Sequence, residues 1–236
     1  MVTLTPIIDV VMPALNEEDA IVLVLADMPW PFIRRVVVAD NGSTDNTAEV
    51  ARAGGAIVVP APQRGYGAAC LAALAEVRKD PPDIVVFLDA DYSDHPEELP
   101  EVVRPITEGG YDLVIGSRTR GEHQKGALLP QAIFGNWLSC LLIKWIYGVE
   151  FTDLGPFRAV RWEDLERLKM ADRDFGWTVE MQVKAAKAGL RCTEVPVSYR
   201  KRVGVSKVSG TIKGSFLAGE KILYTIFKEA FTNNSR

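Results

Sequence analysis

Through its first half the chain repeats one pattern: a short β-prone apolar run halts at a carboxylate or turn, and a helical stretch follows. Residues 6–12 read as a first strand closed by Pro13, and Asn16-Glu17-Glu18-Asp19 then opens a helix with a cap and an acidic first turn. Arg35-Val-Val-Val-Ala39 is a second strand ending at Asp40, and the turn Asn41-Gly42-Ser43-Thr44-Asp45 leads into a helix through Ala53. Residues 56–59 form a third strand, a loop rich in Pro and Gly spans 60–67, and an alanine-rich helix covers 68–77. The fourth strand, Ile84-Val-Val-Phe-Leu88, stops abruptly at Asp89-Ala90-Asp91. Pro96-Glu97-Glu98 starts another helix, and Asp112-Leu-Val-Ile-Gly-Ser117 is a fifth strand that delivers Arg118. Strands alternating with helices through residue 117 predict an α/β fold, a mostly parallel sheet with helices on both faces.

Beyond that point the pattern loosens. Residues 127–149 carry a single charge, Lys144, over nearly the length that spans a bilayer, but Pro130, Gln131, Gly135 and Asn136 interrupt them. A helix buried in the protein is the expected state, with contact at a membrane surface as the alternative. Thr152-Asp153-Leu-Gly-Pro-Phe-Arg158 is a turn-rich element, and Asp174-Phe-Gly-Trp-Thr-Val-Glu180 leads into a helix through Ala188. Arg200, Lys201, Arg202 and Lys207 form the most cationic stretch, with Gly204 and Gly210 placed as hinges for a lid over phosphates. A last helix over 211–231 has Phe216, Leu217, Ile222, Leu223, Ile226 and Phe227 on an apolar stripe, suited to packing, to a homo-oligomer or to peripheral membrane contact.

Composition narrows the class. With 236 residues, 47% apolar and 25% charged, the chain can bury a sizeable core, and its net charge of -4 leaves no basic field for nucleic acid. Cys70, Cys140 and Cys192 are odd in number, lack metal-ligand spacing and sit in apolar surroundings, as core residues in a reducing compartment would. Met1-Val-Thr-Leu-Thr has no basic segment leading into an apolar stretch, so neither export nor an N-terminal anchor is expected, and the expected location is the cytoplasm.

In parallel sheets ligands bind outside the carboxyl ends of the strands, which gathers Asn16, Glu17, Asp40, Asp89, Asp91 and Arg118 onto one rim. Asp89 and Asp91 stand one residue apart, close enough to share a hard cation or a diphosphate that it bridges, although an acidic loop would present the same spelling. No Gly-x-Gly-x-x-Gly follows the first strand and no Gly-x-x-x-x-Gly-Lys occurs. A nucleotide would therefore be held by carboxylates such as Asp40 on ribose hydroxyls or base N–H groups, with a metal at Asp89 and Asp91 for its diphosphate.

Pro13-Ala-Leu-Asn-Glu-Glu18, Asp40-Asn-Gly-Ser-Thr-Asp45, Asp89-Ala-Asp91, Gly116-Ser-Arg118 and Arg202-Val-Gly-Val-Ser-Lys207, in that order, resemble the family 2 glycosyltransferases, and within them the dolichyl- or polyprenyl-phosphate sugar synthases. The resemblance implies a GT-A-like, Rossmann-type layered fold and transfer from a nucleotide sugar with inversion at the anomeric carbon. It implies that Pro13, Leu15, Glu17 and Asp40 line the base and ribose, that Asp89 and Ala90 lie along the donor, and that Asp91 ligates Mg²⁺ or Mn²⁺. Arg118 would face the sugar or an acceptor phosphate, and Arg202 and Lys207 would close over the diphosphate. The chain departs from the pattern at Leu15, where mannosyl members commonly have Tyr, at Ser93, where they have a metal-binding Gln, and at Asn41, often a second Asp.

The expectation is one glycosyltransferase domain over 1–236, with a donor half at 1–118, an acceptor half and lid at 119–210 and a C-terminal helix at 211–236. It would move a hexose from a UDP- or GDP-sugar to an acceptor, either a lipid phosphate such as polyprenyl phosphate or another hydroxyl. A phosphate acceptor is already ionised and needs positioning, whereas a hydroxyl needs a base, first Asp153 and then Asp174. A nucleotidyltransferase and a non-catalytic nucleotide-sugar-binding protein are the alternatives.

Overall fold

The computed structural model describes residues 5–204 and 212–232. Seven strands form one sheet: β1 (Ile8–Ala14), β2 (Arg35–Asp40), β3 (Ile57–Pro60), β4 (Ile84–Phe87), β5 (Leu113–Ser117), β6 (Arg158–Arg161) and β7 (Cys192–Pro196). Among the described residues eight α-helices connect and flank them: α1 (Glu18–Ala26), α2 (Thr47–Ala53), α3 (Tyr66–Val77), α4 (Leu99–Gly109), α5 (Pro130–Tyr147), α6 (Trp162–Leu168), α7 (Trp177–Lys187) and α8 (Ile212–Phe231). The strand order is β3-β2-β1-β4-β6-β5-β7. Pairing is parallel from β3 to β4 and between β5 and β7, while β6 runs antiparallel to both of its neighbours.

Alternation along the strands makes two cores. Val10, Met12, Val36, Val38, Ile84 and Val86 point to the face covered by α1, α2 and α4. Val11, Val37, Val85 and Phe87 point to the other face, which α3, α5, α6, α7 and α8 cover. A sheet enclosed on both faces explains why its strands read as continuous apolar runs.

Several boundaries differ from the expectation. β1 continues through Pro13 to Ala14, because pairing with β4 ends at Val11↔Phe87 and the proline nitrogen falls on that unpaired side. The strands β6 and β7 were not expected. The spelling of β6, Arg158-Ala-Val-Arg161, puts a charge at each end, and β7 is a polar edge strand, so neither carries an apolar run. The helix at 127–149 is not simply buried: Ser139, Cys140 and Ile143 pack inward, while Ile133, Phe134, Trp137 and Trp145 face solvent. Of the stripe expected on the last helix, Ile226 is buried and Leu217 and Phe227 are exposed. No helix among the described residues is long and apolar enough to cross a membrane. Cys70 and Cys140 are buried, Cys192 is half-buried, and all three are free thiols.

The amino-terminal edge of the sheet is held by one buried acid. Asp9, wholly enclosed, accepts hydrogen bonds from Arg34 Nε and Nη2 at 2.8 and 2.7 Å and from Arg35 Nε at 2.8 Å. Both guanidinium groups also donate to the Asp80 carbonyl, which ties β1 and β2 to the turn after α3. Because Arg34 and Arg35 keep some solvent access, loss of their partner falls below the penalty for a fully enclosed pair. Asp9→Ala is expected to destabilise the fold by about 2–3 kcal/mol. Thermal unfolding checks this, with a melting temperature lower by roughly 4–12 °C; an unchanged melting temperature would show the pair to be dispensable.

Candidate active site

The carboxyl ends of β1, β2 and β4 open into a cleft of about 390 Å³, a size that suits a nucleotide-sized ligand. Pro13, Leu15 and Glu17 line it from β1, Asn41 from β2, and Asp89, Ala90 and Asp91 from β4. Arg64, Gly65 and Tyr66 at the start of α3, Asp174 and Phe175 ahead of α7, and Arg202 complete the wall.

The loops after β1 and β2 are laced to each other. Asn16 adopts a left-handed conformation (φ 53°) rather than capping α1; its Oδ1 accepts from Thr44 N at 2.8 Å and its own N–H donates to Ser43 Oγ. Asparagine suits both roles, since its short amide tolerates that conformation and binds backbone. The Glu17 N–H donates to Thr47 Oγ1, and Glu18 Oε2 accepts from Asn46. Asp40 accepts from Ser43 N at 3.0 Å within its own turn, and its neighbour Asn41 is the residue that reaches the cleft wall. Asn41 Nδ2 donates to the carbonyls of Ala61 and Gln63 while its Oδ1 accepts from Gly65 N. A carboxylate could not make the two donations, which accounts for Asn rather than Asp here.

The opposite wall rests on glycine. A Cβ on Gly65 (φ 130°) would lie 2.1 Å from the Arg173 carbonyl oxygen, and one on Gly67 would lie 2.1 Å from that of Asp172. The segment bearing Asp174 and Phe175 thus sits directly on the first turn of α3, where Ala68 N donates to Arg173 O. The Glu180 carboxylate, engaged by Ala171 N, Asp172 N and Lys184, fixes that segment from behind.

Beyond the end of β4 three carboxylates crowd together. Asp89 accepts from the hydroxyl of the half-buried Tyr66 at 3.0 Å, and burial, then repulsion by Asp91, pushes its pKa up to about 7. Asp91 Oδ1 accepts from Ser93 N and Oγ at 2.9 and 2.5 Å, so the serine aims this acid. Asp91 Oδ2 lies 3.2 Å from Arg202 Nη2, which also donates to Glu17 Oε1 at 2.8 Å. Asp94 is fully buried with neither carboxylate oxygen hydrogen-bonded, and burial together with Asp89 and Asp91 raises its pKa well above the ordinary range. Unpartnered buried oxygens beside two more acids call for positive charge. An all-oxygen set suits a hard divalent ion such as Mg²⁺ or Mn²⁺ at Asp89 and Asp91. Among the described residues no three acid, His or Cys side chains converge as a complete ligand set, so phosphate oxygens and water would supply the rest.

A second polar cluster lies beside the first. Arg118 donates to both Asp153 oxygens, from Nε at 2.8 Å and Nη2 at 2.7 Å, and its backbone N–H adds a third bond. Burial alone would lower the Arg118 pKa, but the charge and hydrogen bonds of Asp153 outweigh it and raise the value. The turn bearing Asp153 is clamped from four elements: Glu194 accepts from Thr152 and Asp153 N, Asn136 binds Thr152 O and Leu154 N, Gln182 donates to Asp153 O, and Arg158 donates to Leu154 O and Gly155 O. Arg158 is entirely enclosed, and burial depresses its pKa to about 10. Neither Arg118 nor Asp153 lines the cleft, although the Arg118 charge is felt at Asp89 and Asp94. Lys207 lies outside the described residues. Tyr66, Arg64 and Phe175 were not singled out in the sequence, since a lone aromatic or arginine beside glycine carries no periodic signal.

Comparison with known proteins agrees with this architecture. Residues 9–168 match the family described as glycosyl transferase family 2. An uncharacterized glycosyltransferase of Mycobacterium tuberculosis is 38% identical over 214 residues, covering 89% of this chain and 94% of its own. A dolichyl-phosphate hexose transferase of Haloferax volcanii is 34% identical over 222 residues, 93% of this chain and 94% of its own. Among solved structures, glucosyl-3-phosphoglycerate synthase from Mycobacterium tuberculosis in complex with Mn²⁺ and UDP-glucose superposes with a TM-score of 0.71 at 25% identity, over 98% of this chain and 81% of that one. The same enzyme in complex with phosphoglyceric acid gives 0.72, also at 25% identity. These likenesses set aside the nucleotidyltransferase and the non-catalytic binder. By the family match and by relatives spanning nearly its whole length, the chain is a glycosyltransferase and belongs to glycosyl transferase family 2.

Proposed function

We propose that this enzyme transfers a hexose from a UDP-sugar, held with Mn²⁺ in the β1–β2–β4 cleft, to a phosphate-bearing acceptor. The observation that carries the reading is the trio Asp89, Asp91 and Asp94 beyond the end of β4, three crowded carboxyl groups, two of them buried, whose repulsion a donor-bound cation would relieve. UDP is preferred to GDP because the structural neighbour binds UDP-glucose, and Mn²⁺ is preferred to Mg²⁺ on the same ground. The acceptor class follows from phosphoglyceric acid in that neighbour and the dolichyl phosphate named for the Haloferax relative; polyprenyl phosphate belongs to the same class.

In this reading the donor is held within residues 1–118, the acceptor side lies beyond residue 118, and α8 (Ile212–Phe231) is the C-terminal helix; residues 205–210 of the expected lid lie outside the described residues. Pro13, Leu15 and Glu17 flank the nucleoside, with Asp40 beside them at the end of β2. Asp91, aimed by Ser93, and Asp89, steadied by Tyr66, hold the metal, whose chemistry is to offset charge developing on the leaving diphosphate. Arg202 exchanges its pairing with Glu17 and Asp91 for the diphosphate, assisted by Lys207. Asp153 holds Arg118 toward the acceptor phosphate, which attacks from the face opposite the leaving group and inverts the anomeric carbon. An acceptor that attacks through its phosphate oxygen is ionised already, so the protein supplies orientation. Should the acceptor be a hydroxyl, Asp174, which lines the cleft, serves as base in preference to Asp153, whose two oxygens are engaged by Arg118.

A thermal-shift screen of UDP, GDP and their hexose derivatives tests the donor. UDP-glucose with Mn²⁺ at about 100 times its dissociation constant should add about 2.7 kcal/mol of stability; a larger shift with GDP-sugars would overturn the assignment. Asp91→Ala is expected to cut transfer by about 10²–10³-fold. If that variant keeps full activity in the presence of a chelator, the metal role is wrong.

A further inference from the structure

α5 buries only a narrow strip and leaves the rest of an apolar helix in water. Ile133, Phe134 and Trp137 stand at i, i+1 and i+4 on one side of α5, and the N-cap residue Leu129 is exposed ahead of them. Phe134 and Trp137 are 62% and 56% exposed, and their rings touch each other at a centroid distance of 5.9 Å rather than the core. A contiguous patch of this kind marks a surface that meets something apolar.

The charges around it decide what. The chain carries a net charge of -4, yet the segments flanking the exposed end of α5 are cationic. Lys125 and Lys201 are exposed there, against Glu122 as the acid of the 118–126 loop, whereas Arg120 turns to Glu194 on β7. Lys201 packs against that loop: its N–H donates to Gln124 Oε1 at 2.9 Å, and its Cε comes within 3.4 Å of where a Cβ on Gly126 would stand. The first turn of α5 also has no side-chain cap, Leu129 being the N-cap residue and Pro130 following it. The positive end of the helix therefore points outward beside the lysines. An apolar, aromatic face rimmed by lysines at a helix start without a side-chain cap matches an anionic lipid surface, with side chains among the acyl chains and cations at the phosphates.

We infer that the exposed face of α5, with Lys125 and Lys201 at its rim, docks this protein on an anionic bilayer surface without spanning it. The same helix reaches the catalytic half through Asn136, whose amide donates to Thr152 O at 2.9 Å and accepts from Leu154 N at 2.8 Å. A bilayer resting on α5 would thus lie next to the turn that orients Asp153 and Arg118. The inference depends neither on the donor nor on the chemistry, so it can fail while the proposed transfer stands.

The test is co-sedimentation of the full chain, without nucleotide, with phosphatidylcholine vesicles prepared with and without phosphatidylglycerol. Binding is expected to the anionic vesicles and to weaken as NaCl rises. Lys125→Glu with Lys201→Glu should weaken it by about tenfold or more, and Phe134→Ser with Trp137→Ser should abolish it. Both variants are accompanied by a melting curve. Glu122→Lys, which touches no apolar contact, should strengthen anionic binding and keeps the test decisive if another variant misfolds. Wild type remaining in the supernatant with both vesicle types would overturn the inference. So would light scattering that shows a dimer dissociated by Trp137→Ser, which would assign the face to a second copy of the chain.

Discussion

Acidic groups packed closer than water alone would allow are the constraint around which this molecule is arranged. Asp89, Asp91 and Asp94 follow β4 within six residues, and two of them are largely shielded from solvent. Each available remedy is visible in the geometry: a phenol and a serine donate to the first two, Arg202 bridges Asp91 to Glu17, and Arg118 lends charge from the adjoining cluster. Asp94 receives none of these hydrogen bonds. The fold brings acids together that would separate in an unconstrained chain, and the sheet supplies the rigidity that keeps them there.

That rigidity has two sources of different character. Around the cleft, backbone meets backbone across glycine and asparagine staples, with Asn16 and Asn41 stitching neighbouring loops. Beside it, a short turn at 152–155 is gripped by side chains from α5, α7, β6 and β7, so that Arg118 and Asp153 meet in one geometry. The enclosed Arg158 is the most costly part of that grip. It is satisfied by carbonyl oxygens and has no carboxylate within ion-pairing distance among the described residues.

Much of the first half was legible in the chain because its strands are enclosed on both faces and run up to acids, two signals that coincide at Asp40 and Asp89. The second half was less so. An arginine at each end of Arg158-Ala-Val-Arg161 reads as surface, and only the assembled turn shows the carbonyls that make burial of Arg158 tolerable. Asn16 could be read as a cap because capping and the left-handed conformation favour the same residue, and only the position of Thr44 distinguishes them. α5, apolar all round, suggested burial; which of its sides meets the core depends on where α7 and α8 lie. Tyr66 carries no local signal, since nothing in the sequence links a tyrosine at the start of α3 with an aspartate after β4.

The contact between Gly65, Gly67 and the carbonyls of residues 172 and 173 limits how the cleft can diversify. Where two main chains touch, no side chain can be enlarged or trimmed to change their separation, so the span from α3 to the segment before α7 is a fixed dimension. Change in the shape of this cleft is therefore left to positions such as Leu15, Arg64 and Phe175, where the wall is made of side chains.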